Sequence, residues 1–261
     1  MNNVNKTLYI PLYGKAYVSR KGIILNDKKA EEIWEKEGIP LKGKSKSKWL
    51  AYYMGMRSAV FDNWIVEQMK KDSEAVVLHI GCGMDSRVLR VRTSGHDWYD
   101  IDFPSVIAER KKYYTQDNVY HMVEADVREQ NWLLDISKAK HAIIVMEGVS
   151  MYFKPQELSM VLEQISSYFT SVNLLMDAYT TIAAKASKYK NPINDVGVTQ
   201  VYGLDEPKVL ENGKLTFCKE HEMTPEEKIN ELEGFEKIIF KKLYSGGIAK
   251  KMYRMYEYVQ G

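Results

Sequence analysis

Apolar positions along the chain follow two spacings in succession. Residues 26–70 carry them at helical intervals. NDKKAEEIWEKEG offers Asn26 or Asp27 as a cap, early acids and a stopping Gly38, and WLAYYMGMRSAVFDNWIVEQMKK runs on to a lysine-rich end. Short apolar runs then alternate with helical stretches. The candidate strands are AVVLHI (75–80), HDWYDID (96–102), VYHMVEAD (119–126), HAIIVMEG (141–148) and VNLLMDAY (172–179). SVIAERKKYYTQ and QELSMVLEQISSYF between them read as helices. The alternation predicts a parallel α/β sheet with helices on both faces. Residues 181–224 carry scattered Gly, Pro, Asn and Lys and read as a mostly irregular insert. EKIIFKKLY and KMYRMYEYV, either side of an SGG turn, read as an antiparallel hairpin at the sheet edge.

Composition narrows the class without naming a chemistry. The chain has 261 residues, 45% hydrophobic and 28% charged, which suits one large soluble domain or a domain with a lid. Its 37 basic and 35 acidic residues leave a net charge of +2, so no whole-chain attraction to nucleic acid or to an anionic membrane is expected. The lysine-rich loop LKGKSKSKW invites a nucleic-acid reading, but the near-neutral total favours a solvated loop. Cys82 and Cys218 cannot build a disulfide framework, and the five histidines show no ligand spacing, so no metal is expected. MNNVNKTLYIPLYGK lacks the basic and apolar regions of a signal peptide, and no apolar run nears the roughly 18 residues that span a bilayer. A reduced, cytoplasmic protein is the expectation.

The chemistry concentrates at strand ends. In VVLHIGCGMDSRVLRV an apolar run breaks at Gly81-Cys82-Gly83, and Asp85 follows where a dinucleotide-binding loop would carry its third glycine. A glycine corner between strand and helix lets backbone N–H groups approach a ligand closely. An acid there repels a phosphate and suits a cation, and S-adenosylmethionine is a nucleoside with a sulfonium and no phosphate. Asp102 ends the second strand, 21 residues after Gly81, near the spacing of about 20 that places an acid on ribose hydroxyls. Its alternative is a solvated acid at a strand end. Asp100, two residues earlier, points the same way. Asp126 ends the third strand, to accept from an adenine amine or to cap the next turn. Glu147 follows a nearly all-apolar strand, where a carboxylate without a partner is costly. Four acids on four strand ends point to one crevice. Arg57 reads from position alone as a surface salt bridge, and His79, inside the first strand, as a core or strand-face residue.

Taken in order, GCGMDSR, WYDIDFPSVIAERKK and MEGVSMYF resemble the motifs of the leucine carboxyl methyltransferase family, which includes tetracenomycin-type polyketide O-methyltransferases. LYIPLYGKAYVSRKGIILNDKKA, MRSAVFDNWI and YGLDEP extend the resemblance over most of the chain. The resemblance implies a Rossmann-like, seven-stranded α/β methyltransferase sheet in one domain. An N-terminal helical extension (1–70) would precede a cofactor-binding core (71–180), a lid insert (181–235) and the C-terminal hairpin (236–261). It implies S-adenosylmethionine as cofactor, with Gly81 and Gly83 on the methionine side, Asp102 on the ribose, Asp126 and Val127 at the adenine and Glu147 in contact. It also places Arg57, and more loosely Lys15, at the cofactor carboxylate.

The expected reaction is methyl transfer to a carboxylate or hydroxyl of a small molecule. A protein C-terminal carboxylate and a non-catalytic cofactor-binding module are the alternatives. A nicotinamide-dependent oxidoreductase is disfavoured by the missing glycine and the lack of a Ser/Tyr/Lys-type cluster. A carboxylate needs no base, whereas a phenol near pKa 10 does. Tyr152, just after the fourth strand, lines the acceptor pocket or packs. No catalytic residue and no oligomeric state follow from the sequence.

Overall fold

The computed structural model describes residues 8–38, 41, 43–92, 95–187 and 200–261. Three helices open it: α1 (Tyr9–Arg20), α2 (Lys28–Glu37) and α3 (Lys48–Met69). Asp27 caps α2 by accepting from the Ala30 N–H at 2.9 Å, and Gly38, in the left-handed conformation, ends it. The alternating region follows as β1 (Val76–Ile80), α4 (Arg87–Val91), β2 (Trp98–Asp102), α5 (Pro104–Arg110), β3 (Tyr120–Glu124), β4 (His141–Met146), α6 (Pro155–Tyr168) and β5 (Ser171–Tyr179). The last third contains α7 (Thr181–Ala186), β6 (Thr216–His221), α8 (Glu226–Ile229), α9 (Gly234–Tyr244), α10 (Gly247–Lys250) and β7 (Tyr253–Gln260).

The seven strands form one sheet in the order β3-β2-β1-β4-β5-β7-β6. β1 pairs in parallel with both β2 and β4, so the strand order reverses there, and β7 enters antiparallel beside β5. Ligands of open α/β sheets bind outside the strand carboxyl ends at such a reversal. Both faces of the central strands are covered, which is why they read as unbroken apolar runs. Leu78, Ile144 and Leu174 pack with Leu158, Val161 and Ile165 of α6. Val77, Ile143 and Leu175 pack with Phe61, Trp64 and Ile65 of α3 and with Tyr9 and Leu12 of α1. The N-terminal helices therefore share a core with the sheet.

Two expectations for the last third are corrected. EKIIFKKLY lies in α9, a helix and not a strand, and on its side away from β5 the strand β7 pairs antiparallel with β6, inside the stretch expected to be mostly irregular. The run Ile238-Ile239-Phe240 suggests a strand, yet only Phe240 is buried, while Phe235, Ile238 and Leu243 stay exposed. Phe240 and Tyr244, four residues apart, meet on one face at 5.4 Å between ring centroids, which is helical and not strand spacing. β6 escaped notice because it is an exposed edge strand with an irregular register between Phe217 and Lys219. Residues 188–199 of the expected lid lie outside the described residues. Residues 202 and 204 are tied down by Tyr202 N–H to Met151 O (2.8 Å) and Leu204 N–H to Tyr179 O (2.7 Å). Among the described residues no helix is long and apolar enough to cross a membrane.

Candidate active site

A cavity of about 600 Å³ lies at the carboxyl ends of the central strands, walled also by α1 and α3. That is a common size for a small-molecule site. Lys15, Arg57, Gly81, Gly83, Asp102, Asp126, Val127, Glu147 and Tyr152 all line it, whereas Asp100 does not.

The floor is the corner after β1. Gly81 and Gly83 have φ of +68° and +51°. A β-carbon on Gly81 would overlap the Val149 side chain, and one on Gly83 would stand 3.1 Å from Leu8 Cδ2. The left-handed backbone and the close wall both require glycine here. The Gly83 N–H donates to Asp102 Oδ2 and the Phe103 N–H to Asp102 Oδ1, each at 2.8 Å. Two backbone donors thus fix the carboxylate, and each oxygen keeps acceptor capacity for a hydroxyl. Burial raises the Asp102 carboxyl above its ordinary range, against those same N–H groups.

Above the floor runs a buried ionic network. Arg57 is 2% exposed, which overturns the surface salt bridge that position alone suggested. Its Nη2 lies 2.9 Å from Glu147 Oε1 and its Nη1 lies 3.1 Å from Asp177 Oδ2. Arg87 reaches Glu147 Oε2 from the other side and meets Asp62 at 2.7 Å. Burial alone would raise the Glu147 carboxyl, but Lys15, Arg87 and Arg57 hold it well below the carboxylate range. Asp85 was expected to stand ready for a cationic ligand. It is already surrounded, by Lys15 (2.6 Å), Arg90 (3.0 Å) and Arg87 (3.3 Å). Those cations, against burial, keep it well below its ordinary value, and its charge is spent on the protein. The missing third glycine therefore reflects an internal anchor for α1 and α4 and not attraction to a sulfonium.

Asp100 parts company with Asp102. It is fully buried and bound by Arg110, by the Tyr120 hydroxyl at 2.7 Å, by Trp98 Nε1 at 2.9 Å and by His79 Nδ1 at 3.1 Å. Burial works against the charge, yet Arg110 and His79 hold the carboxyl down at about 2. His79 is buried in β1 and lines the cavity, with its Nε2 3.3 Å from Arg87. Asp126 lines the cavity but pairs with Arg128, whose Nε lies 2.8 Å from Oδ1; this bond lowers its carboxyl.

Sequence reasoning missed Arg87, Asp177, Phe103, Arg128 and Tyr253. Of these, Phe103, Arg128 and Tyr253 line the cavity. Phe103 directly follows Asp102 and carries the Arg128 guanidinium 5.8 Å from its ring centroid. The adjacency to Asp102 was the one signal available. The remaining wall is apolar and aromatic, with Leu50, Met54, Met151, Phe153 and Tyr179 beside Tyr152.

The glycine cradle and the doubly fixed Asp102 suit a nucleoside, and Lys15 and Arg57 line the same cavity while paired with Asp85 and with Glu147 and Asp177, so the residues present fit the expected cofactor. The comparisons agree. A family model described as leucine carboxyl methyltransferase matches residues 8–166, more than half of the chain. The tetracenomycin polyketide synthesis O-methyltransferase TcmP of Streptomyces glaucescens is 26% identical over 81% of this chain and 79% of its own length. The S-adenosyl-L-methionine-dependent methyltransferase dpfgK of Gibberella zeae is 24% identical over 81% and 78%. Among solved structures, a putative methyltransferase from Thermobifida fusca superposes with a TM-score of 0.57 at 12% identity, covering 95% of this chain and 93% of that one. Magnesium protoporphyrin IX methyltransferase from Synechocystis with bound S-adenosylhomocysteine gives 0.54 at 13% identity, covering 90% and 95%. At such identities the likeness is one of fold. With this strand order and the match over residues 8–166, the chain belongs to the leucine carboxyl methyltransferase family of S-adenosylmethionine-dependent methyltransferases.

Proposed function

We propose that the chain transfers a methyl group from S-adenosylmethionine to a carboxylate or hydroxyl oxygen of a small molecule. The observation that carries this reading is the cavity itself, in which a nucleoside-type half, with Gly81, Gly83 and Asp102, adjoins an apolar and aromatic half. The O-methyltransferase named among the relatives supports oxygen as the acceptor atom.

The geometry supports the following roles. Asp102 accepts from the ribose hydroxyls, with Asp126 and Val127 at the adenine end. Arg57 and Lys15 hold the cofactor carboxylate, and Glu147 takes the amino group beside them. The cofactor, when bound, supplies an electrophilic methyl group on a sulfonium that leaves as a neutral thioether. The aromatic wall, including Tyr152, orients the acceptor and excludes water. A carboxylate acceptor is ionised at pH 7, so for it these residues act through positioning and desolvation alone.

Calorimetric titration with S-adenosylmethionine, S-adenosylhomocysteine and NADH tests the cofactor half, with Asp102→Ala alongside. Loss of the two or more charge-assisted bonds should cost about 2 kcal/mol or more, roughly 30-fold in affinity. Binding of NADH alone would mean that the floor accepts a different nucleoside. Transfer of labelled methyl groups to carboxylate and phenol panels tests the acceptor half, since a methyl ester releases methanol in alkali and a methyl ether does not.

A further inference from the structure

Tyr253 opens β7 and lines the cavity. Its hydroxyl accepts from Arg57 Nη1 at 2.9 Å and donates to Asp177 Oδ2 at 2.8 Å. Asp177 lies in β5 with no exposure, and its other oxygen accepts from the Gly148 N–H at 2.7 Å. Tyr253 and Tyr179 face each other across the β5–β7 register with ring centroids 4.7 Å apart, and both line the cavity. A buried carboxylate therefore stands one hydrogen bond behind the hydroxyl of a tyrosine that lines the cavity.

We propose that Tyr253 and Asp177 form a proton relay that deprotonates an aromatic hydroxyl acceptor during methyl transfer. This rests on the methyl-transfer reading above and names the acceptor class for that site. The acceptor oxygen bonds the methyl carbon, and the carbon–sulfur bond breaks with its electron pair left on sulfur. The acceptor proton passes to Tyr253 Oη as the Tyr253 proton passes to Asp177 Oδ2. Oη has two lone pairs; Arg57 occupies one, and in the relay the other takes the acceptor's proton.

The charges around the pair support this direction of transfer. Asp177 is faced by Arg57 and Tyr53 from α3, by Glu147 from β4 and by Tyr179 and Tyr253 from the β5–β7 edge. Burial raises its carboxyl, Arg57 draws it back and Glu147 raises it again, so it ends more basic than a surface aspartate. Glu147 is held low by its cations and is the poorer proton acceptor. Burial also pushes the Tyr253 hydroxyl well up, so no standing tyrosinate forms and the two transfers go together. A carboxylate acceptor would need none of this machinery, and the aromatic wall suits a ring. Tyr253 would be a catalytic residue, and Asp177 would act through it.

The test compares wild type with Tyr253→Phe, which removes one oxygen and keeps the ring packing. Methyl transfer from labelled S-adenosylmethionine to 4-methoxyphenol and to the far more acidic 4-nitrophenol is measured from about pH 6 to about pH 9. Relay loss should lower the ratio of kcat on the methoxy acceptor to kcat on the nitro acceptor by about 100-fold or more. The variant's rate on the methoxy acceptor should also climb about tenfold per pH unit as free phenolate accumulates. Asp177→Asn should shift the same ratio while S-adenosylhomocysteine still binds Tyr253→Phe. An unchanged ratio overturns the relay, and so do equal losses on both acceptors. A wild type that binds S-adenosylhomocysteine and methylates neither phenol overturns it too. A wild type that binds no S-adenosylhomocysteine overturns instead the methyl-transfer reading beneath it.

Discussion

Lys15 Nζ lies 2.6 Å from Asp85 Oδ2, and this pair ties the helix over the cavity to the loop beneath it. Both side chains are buried, and Asp85 also meets Arg87 and Arg90. Removing the carboxylate leaves three cations without their shared partner. Asp85→Asn should therefore cost about 3–5 kcal/mol of folding free energy. Lys15→Met should cost less, because Asp85 retains two arginines. Urea unfolding at neutral pH orders the two variants, and equal midpoints would show that the arginines do not compensate.

The two floor glycines should respond unequally to alanine. Both need a left-handed backbone, worth about 1–2 kcal/mol against a side chain. At Gly81 the new β-carbon also meets Val149, whereas at Gly83 it meets only the tip of Leu8, which can turn aside. Gly81→Ala should add about 1–3 kcal/mol of overpacking and lose measurable S-adenosylhomocysteine binding, while Gly83→Ala keeps a weakened site. Adding Val149→Ala should recover part of the Gly81→Ala stability, since it removes the overlap and leaves the backbone strain. No recovery would place the whole cost in the backbone.

The sequence made most of this legible where one residue or one short run carries the signal. β1 and β4 stand out because burial on both faces makes them nearly all apolar, and the glycine corner with Asp102 encodes a local geometry. The ionic network was illegible because its members are far apart in sequence. Arg87 meets Asp62 and Glu147, 25 and 60 residues away, and no spacing rule joins them. Asp100 and Asp102 share a strand face, yet one lies under Arg110 and the other opens on the cavity. Arg110 of α5, with Tyr120, Trp98 and His79, closes over Asp100 alone. β6 and α9 were misread because an exposed edge strand and a helix with apolar residues on its outer side both break the usual patterns of burial.

The two cysteines should differ sharply in reactivity. Cys82 is buried in the floor, and burial raises its thiol well above the ordinary value; Cys218 is exposed on β6. Thiolate is the reactive form, so brief treatment of the native protein with iodoacetamide should modify Cys218 alone. Unfolding in urea should expose both. Peptide mass analysis reads the two sites, and early labelling of Cys82 in the native protein would mean that the floor opens readily.

Stability should also vary with pH in a definite direction. Asp85, Glu147 and Asp100 all have carboxyls depressed in the folded state, Asp100 to about 2. Such groups stabilise the fold above the unfolded pKa, near 4, and that stabilisation drains away as pH falls through the folded value. Asp102 and Asp177 are raised and act oppositely, since the folded state takes up their protons first. Between pH 7 and about pH 5 the urea midpoint should hold level or rise slightly, and below about pH 4 it should fall steeply. Asp177→Asn should remove part of any rise without touching the acid fall, because the three depressed carboxyls remain. A wild-type midpoint that stays level to about pH 2.5 would show that the network's carboxylates are no more acidic folded than unfolded.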